Sequence, residues 1–238
     1  MNIMLIGFGK MGKAIHEQAI QRGHTISLII DIENRHEFTA ENVKKTDVAI
    51  EFTTPETAFQ NVHFCLEHGV PVICGSTGWL DKLDLAKKTA ETNHTGLIVA
   101  SNFSVGVNLF FELNKKLAEL MCHYPAYEPS LLEVHHTQKL DSPSGTAISL
   151  AEQILERIPA KENWVNTPTE KKESLVITSK RADPAPGTHH VKFSSAVDDI
   201  EIIHTAHNRT GFALGAVLAA EFIVGKKGSY TMKDVLGI

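Results

Sequence analysis

Asn2-Ile-Met-Leu-Ile-Gly-Phe-Gly-Lys-Met-Gly12 is the stretch that decides the fold. Residues 2–6 form a short apolar run closed by glycine, the pattern of a buried strand. Gly7, Gly9 and Gly12 then match G-x-G-x-x-G, and Lys13 to Arg22 reads as a helix that Gly23 stops. In a strand–loop–helix of this kind the first glycine permits a tight turn and the second lets a diphosphate approach the backbone. The third lets helix and strand pack closely. Thr25 to Ile30 is a second strand, and Asp31 ends it about 20 residues beyond the loop, where an acid holds adenosine ribose hydroxyls. A glycine turn without a cofactor is the competing reading. Strand, glycines and acid together favour a dinucleotide.

Working outward, Asp47 to Thr53 reads as a third strand, Pro55 to His68 as a helix ended by Gly69, Val70 to Cys74 as a fourth strand and Leu97 to Ala100 as a fifth. Strands alternating with helices imply parallel crossover units. After Phe103 the texture changes. Asn108 to Cys122 is a long amphipathic helix, Leu131 to His136 a strand and Thr146 to Ile158 a helix. Glu173 to Arg181, His190 to Val197 and Asp199 to Ala206 follow as strands without intervening helices, which suggests a mixed or antiparallel sheet. Phe212 to Val224 is an alanine-rich helix. The expected fold is therefore α/β, a Rossmann-type parallel-sheet domain plus an α+β domain with a mixed or antiparallel sheet. The expected boundaries are 1–104 with 213–238 for dinucleotide binding, and 105–212 for substrate binding and oligomerisation.

The chain has 238 residues, of which 42% are hydrophobic, enough for one large core or two modest ones. Its formal charge of -5 argues against a nucleic-acid partner. The three cysteines, Cys65, Cys74 and Cys122, are odd in number and lack metal-like spacing, so they read as buried thiols of a reducing compartment. No apolar run approaches a membrane span and no signal peptide is evident, so a cytoplasmic protein without a membrane partner is expected.

The chemistry concentrates in Glu133-Val-His-His-Thr-Gln-Lys-Leu-Asp-Ser-Pro-Ser-Gly-Thr-Ala147. His135, His136 and Lys139 can donate protons or bind anions. Ser144, Gly145 and Thr146 open a helix whose free amides suit a carboxylate. If the strand extends through Lys139, His135 and Lys139 share a face and His136 starts on the other. Ser144 reads equally as a carboxylate ligand or a plain helix cap. His136 reads as a substrate contact or as a structural strand residue. Although the chain has 13 histidines, none lies in a metal-ligand spacing, so no metal is expected, and His189, His190 and His204 read as strand residues beside the site.

H-H-x-x-K-x-D-x-P-S-G-T-A resembles the signature of the dihydrodipicolinate reductase family of bacterial lysine and diaminopimelate synthesis. Other segments resemble the family too. They are Gly75-Ser-Thr-Gly-Trp79, Ala100-Ser-Asn-Phe-Ser-Val-Gly-Val-Asn108, Ile203 to Val217 with Arg209, and Tyr230 to Gly237. Arg181 to His189 resembles R-x-G-x-x-P-G-x-H, with Asp183 in place of the usual glycine, which puts the local turn in question.

The resemblance implies a homotetramer that reduces 4-hydroxy-tetrahydrodipicolinate, a cyclic dicarboxylate, with NADH or NADPH. It implies His135 as general acid and Lys139 as its catalytic partner on a carboxylate. His136, Ser144, Gly145, Thr146 and Arg209 would bind substrate, and a structural salt bridge is the alternative for Arg209. The cofactor would lie on Gly7, Phe8, Gly9, Lys10, Met11 and Gly12, on Asp31, on Phe52 and Thr53, on Gly75, Ser76 and Thr77, and on Ala100, Ser101, Asn102 and Phe103. Ser76 stands where threonine is commoner and keeps the hydroxyl. Asp31 repels a 2′-phosphate and favours NADH, while Arg35 or Lys10 can reach a phosphate. Two rivals remain open: a related dehydrogenase acting on an imino dicarboxylate, and a nucleotide-sensing protein that binds NADH without turnover.

Overall fold

In the computed structural model, which describes residues 1–238, the opening apolar run is strand β1 (Asn2–Ile6) and helix α1 (Lys10–Gln21) follows the glycine loop. The alternation continues through β2 (Thr25–Ile30), α2 (Ala40–Val43), β3 (Val48–Glu51), α3 (Pro55–Glu67), β4 (Val72–Cys74), α4 (Leu83–Thr92) and β5 (Gly96–Val99). Next come α5 (Val105–Met121), β6 (Glu128–His135), α6 (Gly145–Leu155), β7 (Asn163–Val165), β8 (Ser174–Arg181), β9 (Gly187–Ser194) and β10 (Asp199–Ala206). The chain closes with α7 (Thr210–Ile223), β11 (Gly228–Tyr230) and α8 (Met232–Leu236). Contacts divide it into two units, Met1–Val105 with Arg209–Ile238, and Gly106–Asn208.

The first unit is a six-stranded sheet in the order β11-β5-β4-β3-β1-β2, parallel throughout. Side chains alternate along a strand, so a sheet covered on both faces needs apolar residues at every position. β1 meets that demand. Ile3 and Leu5 pack with Ile15 and Ala19 of α1 and with Ala216, Val217 and Ala220 of α7. Met4 and Ile6 face the opposite way, against Val62 and Leu66 of α3 and Ala86 of α4. Small residues let α7 come close: a Cβ on Gly215 would lie 1.7 Å from the carbonyl oxygen of Phe103. Chain order reverses at β1, whose neighbours are β2 and β3, and open parallel sheets bind ligands at such a switch point.

The second unit is a five-stranded mixed sheet in the order β10-β9-β6-β8-β7. β6 runs antiparallel to β9 and parallel to β8. One face is apolar. Leu131, Leu175, Ile177, Val191 and Phe193 meet Phe110 and Ala118 of α5 and Leu150 and Ile154 of α6. Glu133 and His135 have the parity of Leu131 and therefore point to this same covered face.

Several elements differ from the sequence expectations. β6 ends at His135, and residues 136–139 form a turn closed by the Lys139 amide on the His136 carbonyl at 3.2 Å, so the strand does not continue to Lys139. α2, α4, β7, β11 and α8 are additional to the expected elements. Cys65 and Cys74 are buried free thiols, whereas Cys122 is only half-buried at the end of α5.

Candidate active site

A cleft of about 550 Å³ opens at the carboxyl ends of β1, β2 and β3 and is lined by Gly7, Phe8, Gly9, Asp31, Phe52 and Thr53, among others. Its construction needs glycine at two positions. Gly7 has φ +92°, and a Cβ there would sit 2.2 Å from the Phe52 carbonyl oxygen. A Cβ on Gly12 would sit 2.2 Å from the Gly7 carbonyl oxygen, so any side chain would push α1 off the loop. α1 starts at Lys10 with Gly9 as an N-cap that carries no side chain. An uncapped helix start of this kind suits the diphosphate of a dinucleotide, and the residues present fit that group. Asp31 is exposed at the lip, its Oδ1 accepting the Ile32 amide at 2.9 Å. Arg35 also lines the cleft and stacks over Phe38 at 4.7 Å.

The remaining expected cofactor residues surround this cleft in different roles. Lys10 is exposed, and Met11 packs against the core. Gly75 lies under the Phe52 ring, which a Cβ would meet at 2.1 Å. Ser76 is buried, and its hydroxyl accepts the Thr53 amide at 2.8 Å. Thr77 and Ser101 are exposed and Ala100 half-buried. Asn102 turns its Oδ1 to the Ser104 amide at 2.8 Å. Phe103 is 2% exposed and sits in the core with its ring 5.8 Å from that of Phe52, so its side chain backs the wall of the cleft rather than lining it. Glu51 was not foreseen. This fully buried carboxylate accepts the Thr53 amide at 3.0 Å, the Thr53 hydroxyl, the Asn61 amide at 3.3 Å and the Cys74 thiol at 3.0 Å. Burial and the adjacent Glu51 push the Cys74 thiol pKa far up, which keeps it protonated.

A second polar centre lies at the end of β6. Strand register sets His189 of β9 and Ser179 of β8 beside Glu133, His204 of β10 beside His189, and Arg181 beside His135. Glu133 has no exposed surface, yet four groups reach it. His135 Nδ1 lies 3.0 Å from Oε2, off the ring N–H axis. The Ser144 amide donates to Oε2 at 3.2 Å, Arg181 donates to Oε1 at 3.3 and 3.4 Å, and His189 Nε2 lies 4.0 Å from Oε2. Burial opposes the charge, but the polar neighbours His135, Ser144 and Ser179 outweigh it and hold the Glu133 pKa well below the ordinary carboxylate range. Burial first, then repulsion from His135, pushes the His189 pKa down to about 3, so that ring is neutral near pH 7. Donor atoms of Glu133, His135 and His189 lie within 4.8 Å of one another, a cluster drawn from two strands that no sequence spacing announces.

α6 begins over this centre. Ser144 is 2% exposed, and its hydroxyl accepts the Ala147 amide at 3.2 Å and meets His189 Nε2 at 3.1 Å. Its amide is already committed to Glu133. The cap, one of its two expected roles, is formed. Gly145 is exposed, with open space where a Cβ would stand, and Thr146 is half-buried. A Cβ on Gly187 would lie 3.0 Å from His135 Nε2, so that glycine keeps the outer edge of the imidazole uncrowded. His136 is half-buried with its Nδ1 unpaired. Lys139 pairs with both oxygens of Asp141 at 2.8 and 2.9 Å. Arg209 is exposed at the N-cap of α7 in the first unit and takes part in no ion pair. Glu133 and Arg181 complete this centre, although the motifs that contain them assign neither a role. The parity of Glu133 with Leu131 and His135 was the available signal.

Comparison with known proteins gives a consistent result. Residues 1–103 match the family described as dihydrodipicolinate reductase, N-terminus, and residues 106–236 match dihydrodipicolinate reductase, C-terminus. A 4-hydroxy-tetrahydrodipicolinate reductase from Christiangramia forsetii is 49% identical over 238 residues, covering 99% of this chain and 98% of the relative. One from Syntrophus aciditrophicus is 37% identical over 200 residues, covering 80% and 73%. Among solved structures, a dipicolinate-bound dihydrodipicolinate reductase from Paenisporosarcina sp. TG-14 superimposes with a TM-score of 0.78 at 25% identity, covering 97% of each chain. An amine dehydrogenase from Mycobacterium smegmatis, with a TM-score of 0.60 at 10% identity, shares the fold.

Proposed function

The chain belongs to the dihydrodipicolinate reductase family and reduces 4-hydroxy-tetrahydrodipicolinate to tetrahydrodipicolinate in lysine and diaminopimelate synthesis, and on that premise we propose how its residues divide the work. The overall reaction replaces a ring hydroxyl by hydrogen, taking up one hydride and one proton and releasing water. The reduced nicotinamide nucleotide supplies the hydride, and the protein supplies orientation and the proton.

His135 is the general acid. Glu133 faces Nδ1 and directs Nε2 outward past Gly187. The substrate is a dianion. One carboxylate docks on the Gly145 and Thr146 amides at the start of α6, with the Thr146 hydroxyl assisting. Lys139 leaves Asp141 to hold the other carboxylate, and His136 contributes a further contact. The observation that carries this reading is the buried Glu133–His135 pair beside an open helix start.

The nucleotide lies in the cleft of the first unit, with its diphosphate on the Gly7–Gly12 loop and its ribose on Asp31. Asp31 makes NADH the preferred coenzyme, and Arg35 on the same cleft leaves NADPH usable. The enzyme works in the cytoplasm. Its free cysteines agree with a reducing compartment, and no helix is long and apolar enough to cross a membrane. It assembles as a homotetramer through the second unit, where the eight-residue edge strand β10 exposes Ile200 and Ile203.

The test couples the protein to a dihydrodipicolinate synthase fed with pyruvate and aspartate semialdehyde, following loss of reduced-nicotinamide absorbance with each coenzyme. His135→Ala with Lys139→Ala should nearly abolish turnover and leave NADH affinity unchanged. Wild-type rates from that double variant would end the assignment.

A further inference from the structure

The turn that follows β6 carries His136 and Lys139, and it is suspended from the end of β8 at three points. The Ala182 amide donates to the His135 carbonyl at 2.8 Å. Arg181 Nη2 donates to the Asp141 carbonyl at 2.7 Å. Between them, Asp183 accepts the Thr137 amide on Oδ1 at 3.1 Å and the Thr137 hydroxyl on Oδ2 at 2.6 Å. The first contact is backbone to backbone and open to any sequence, and the second needs the Arg181 side chain but holds only a backbone carbonyl. The third depends on two particular side chains, and Asp183 occupies the position where the R-x-G-x-x-P-G-x-H pattern has glycine, which has nothing with which to grip Thr137.

Both carboxylate oxygens are engaged, so the contact fixes the orientation of Thr137 as well as its distance. Thr137 follows His136 directly, and the Lys139 amide closes the same turn on the His136 carbonyl at 3.2 Å. Freeing Thr137 therefore frees the segment that carries both residues, while His135 stays fixed inside the sheet by Glu133.

We propose that Asp183 is a positioning residue of this enzyme, a side-chain clamp on Thr137 that holds the His136–Lys139 turn ready for a substrate carboxylate. Asp183 itself touches no reactant. The proposal rests on the assignment of His135 and Lys139 to the reaction centre.

The experiment is steady-state kinetics in the coupled assay with Asp183→Ala, Asp183→Asn, Thr137→Ala and the double alanine variant, with His135→Ala measured alongside. Asp183→Ala should raise KM for the dicarboxylate about tenfold, the weight of one charge-assisted hydrogen bond, while KM for NADH stays within about twofold. Asparagine keeps an acceptor for the Thr137 amide, and the hydroxyl can turn to accept from its amide nitrogen, so Asp183→Asn should recover most of the loss. The double variant should be no worse than either single, because both cut the same contact. The same tenfold weight should lower Tm by only about 3–6 °C, so the variant stays folded. Unchanged KM in Asp183→Ala, equal rises for both substrates, multiplying losses in the double variant, or an asparagine variant as impaired as alanine would each overturn the clamp. Full activity in His135→Ala would instead remove the assignment beneath it, whatever Asp183 does.

Discussion

Glu133→Gln is the most informative single change, because it alters charge in a fully buried side chain and almost nothing in shape. Oε2 faces the Ser144 amide at 3.2 Å and His135 Nδ1 at 3.0 Å, and Oε1 faces Arg181 at 3.3 and 3.4 Å. Glutamine must turn its NH2 toward one of these donor sets. Facing Arg181 is the cheaper choice, since that guanidinium is partly exposed and has the Lys180 and Asp141 carbonyls as further acceptors. One donor–donor conflict and the lost charge should cost about 2–3 kcal/mol. At roughly 2–4 °C per kcal/mol for a chain of this length, Tm should fall by about 4–12 °C. The catalytic effect is separable from that loss. Without the carboxylate beside Nδ1 the imidazole loses the neighbour that orients it, so kcat should drop about 10- to 100-fold. NADH affinity, measured by fluorescence titration, should stay within about twofold, because the nucleotide cleft is built from other residues. A folded variant with lowered Tm and wild-type kcat would refute the Glu133–His135 pairing as the support of the acid.

Three further outcomes are expected. Gly187→Ala places a methyl 3.0 Å from His135 Nε2 and should lower kcat/KM for the dicarboxylate about tenfold with NADH binding intact; an unaffected kcat/KM would show that Nε2 does not face the substrate. Asp31→Ala should weaken NADH more than NADPH in direct titrations, and equal losses would show that Asp31 does not read the ribose. His189 should tie stability to pH. Its folded pKa of about 3 lies below the ordinary histidine value of about 6.5, so the unfolded chain binds the extra proton and stability falls as pH drops from 6.5 toward 3. Glu133 adds to the loss only below about pH 4.5, so the Tm slope between pH 6.5 and 5 should flatten in His189→Gln, and an unchanged slope would clear His189.

The first unit was largely legible in the sequence because a sheet buried on both faces demands unbroken apolar strands, and glycines mark their ends. β1 and its loop are the plainest case. α4 was hidden because the residues it buries are Ala86, Thr89 and Ala90, too small and polar to mark an apolar stripe. β11 was hidden because Gly228-Ser-Tyr230 is three residues long and too short to show an apolar run, though it pairs beside Gly96 to Ile98. In the second unit the motif exposed His135 and the start of α6, but not what surrounds them. Glu133 meets Arg181 and His189 through cross-strand register, and register between strands some fifty residues apart leaves no local pattern. Lys139 was drawn onto the strand by a period-two extrapolation that the turn at 136–139 breaks.

A crystal structure of the protein with dipicolinate and NADH would locate the cyclic diacid directly. One carboxylate should sit on the Gly145 and Thr146 amides, Lys139 should have left Asp141 for the other, and His135 Nε2 should point at the ring within about 3–3.5 Å. A diacid bound away from the α6 start, with Lys139 still on Asp141 and His135 facing nothing, would contradict it.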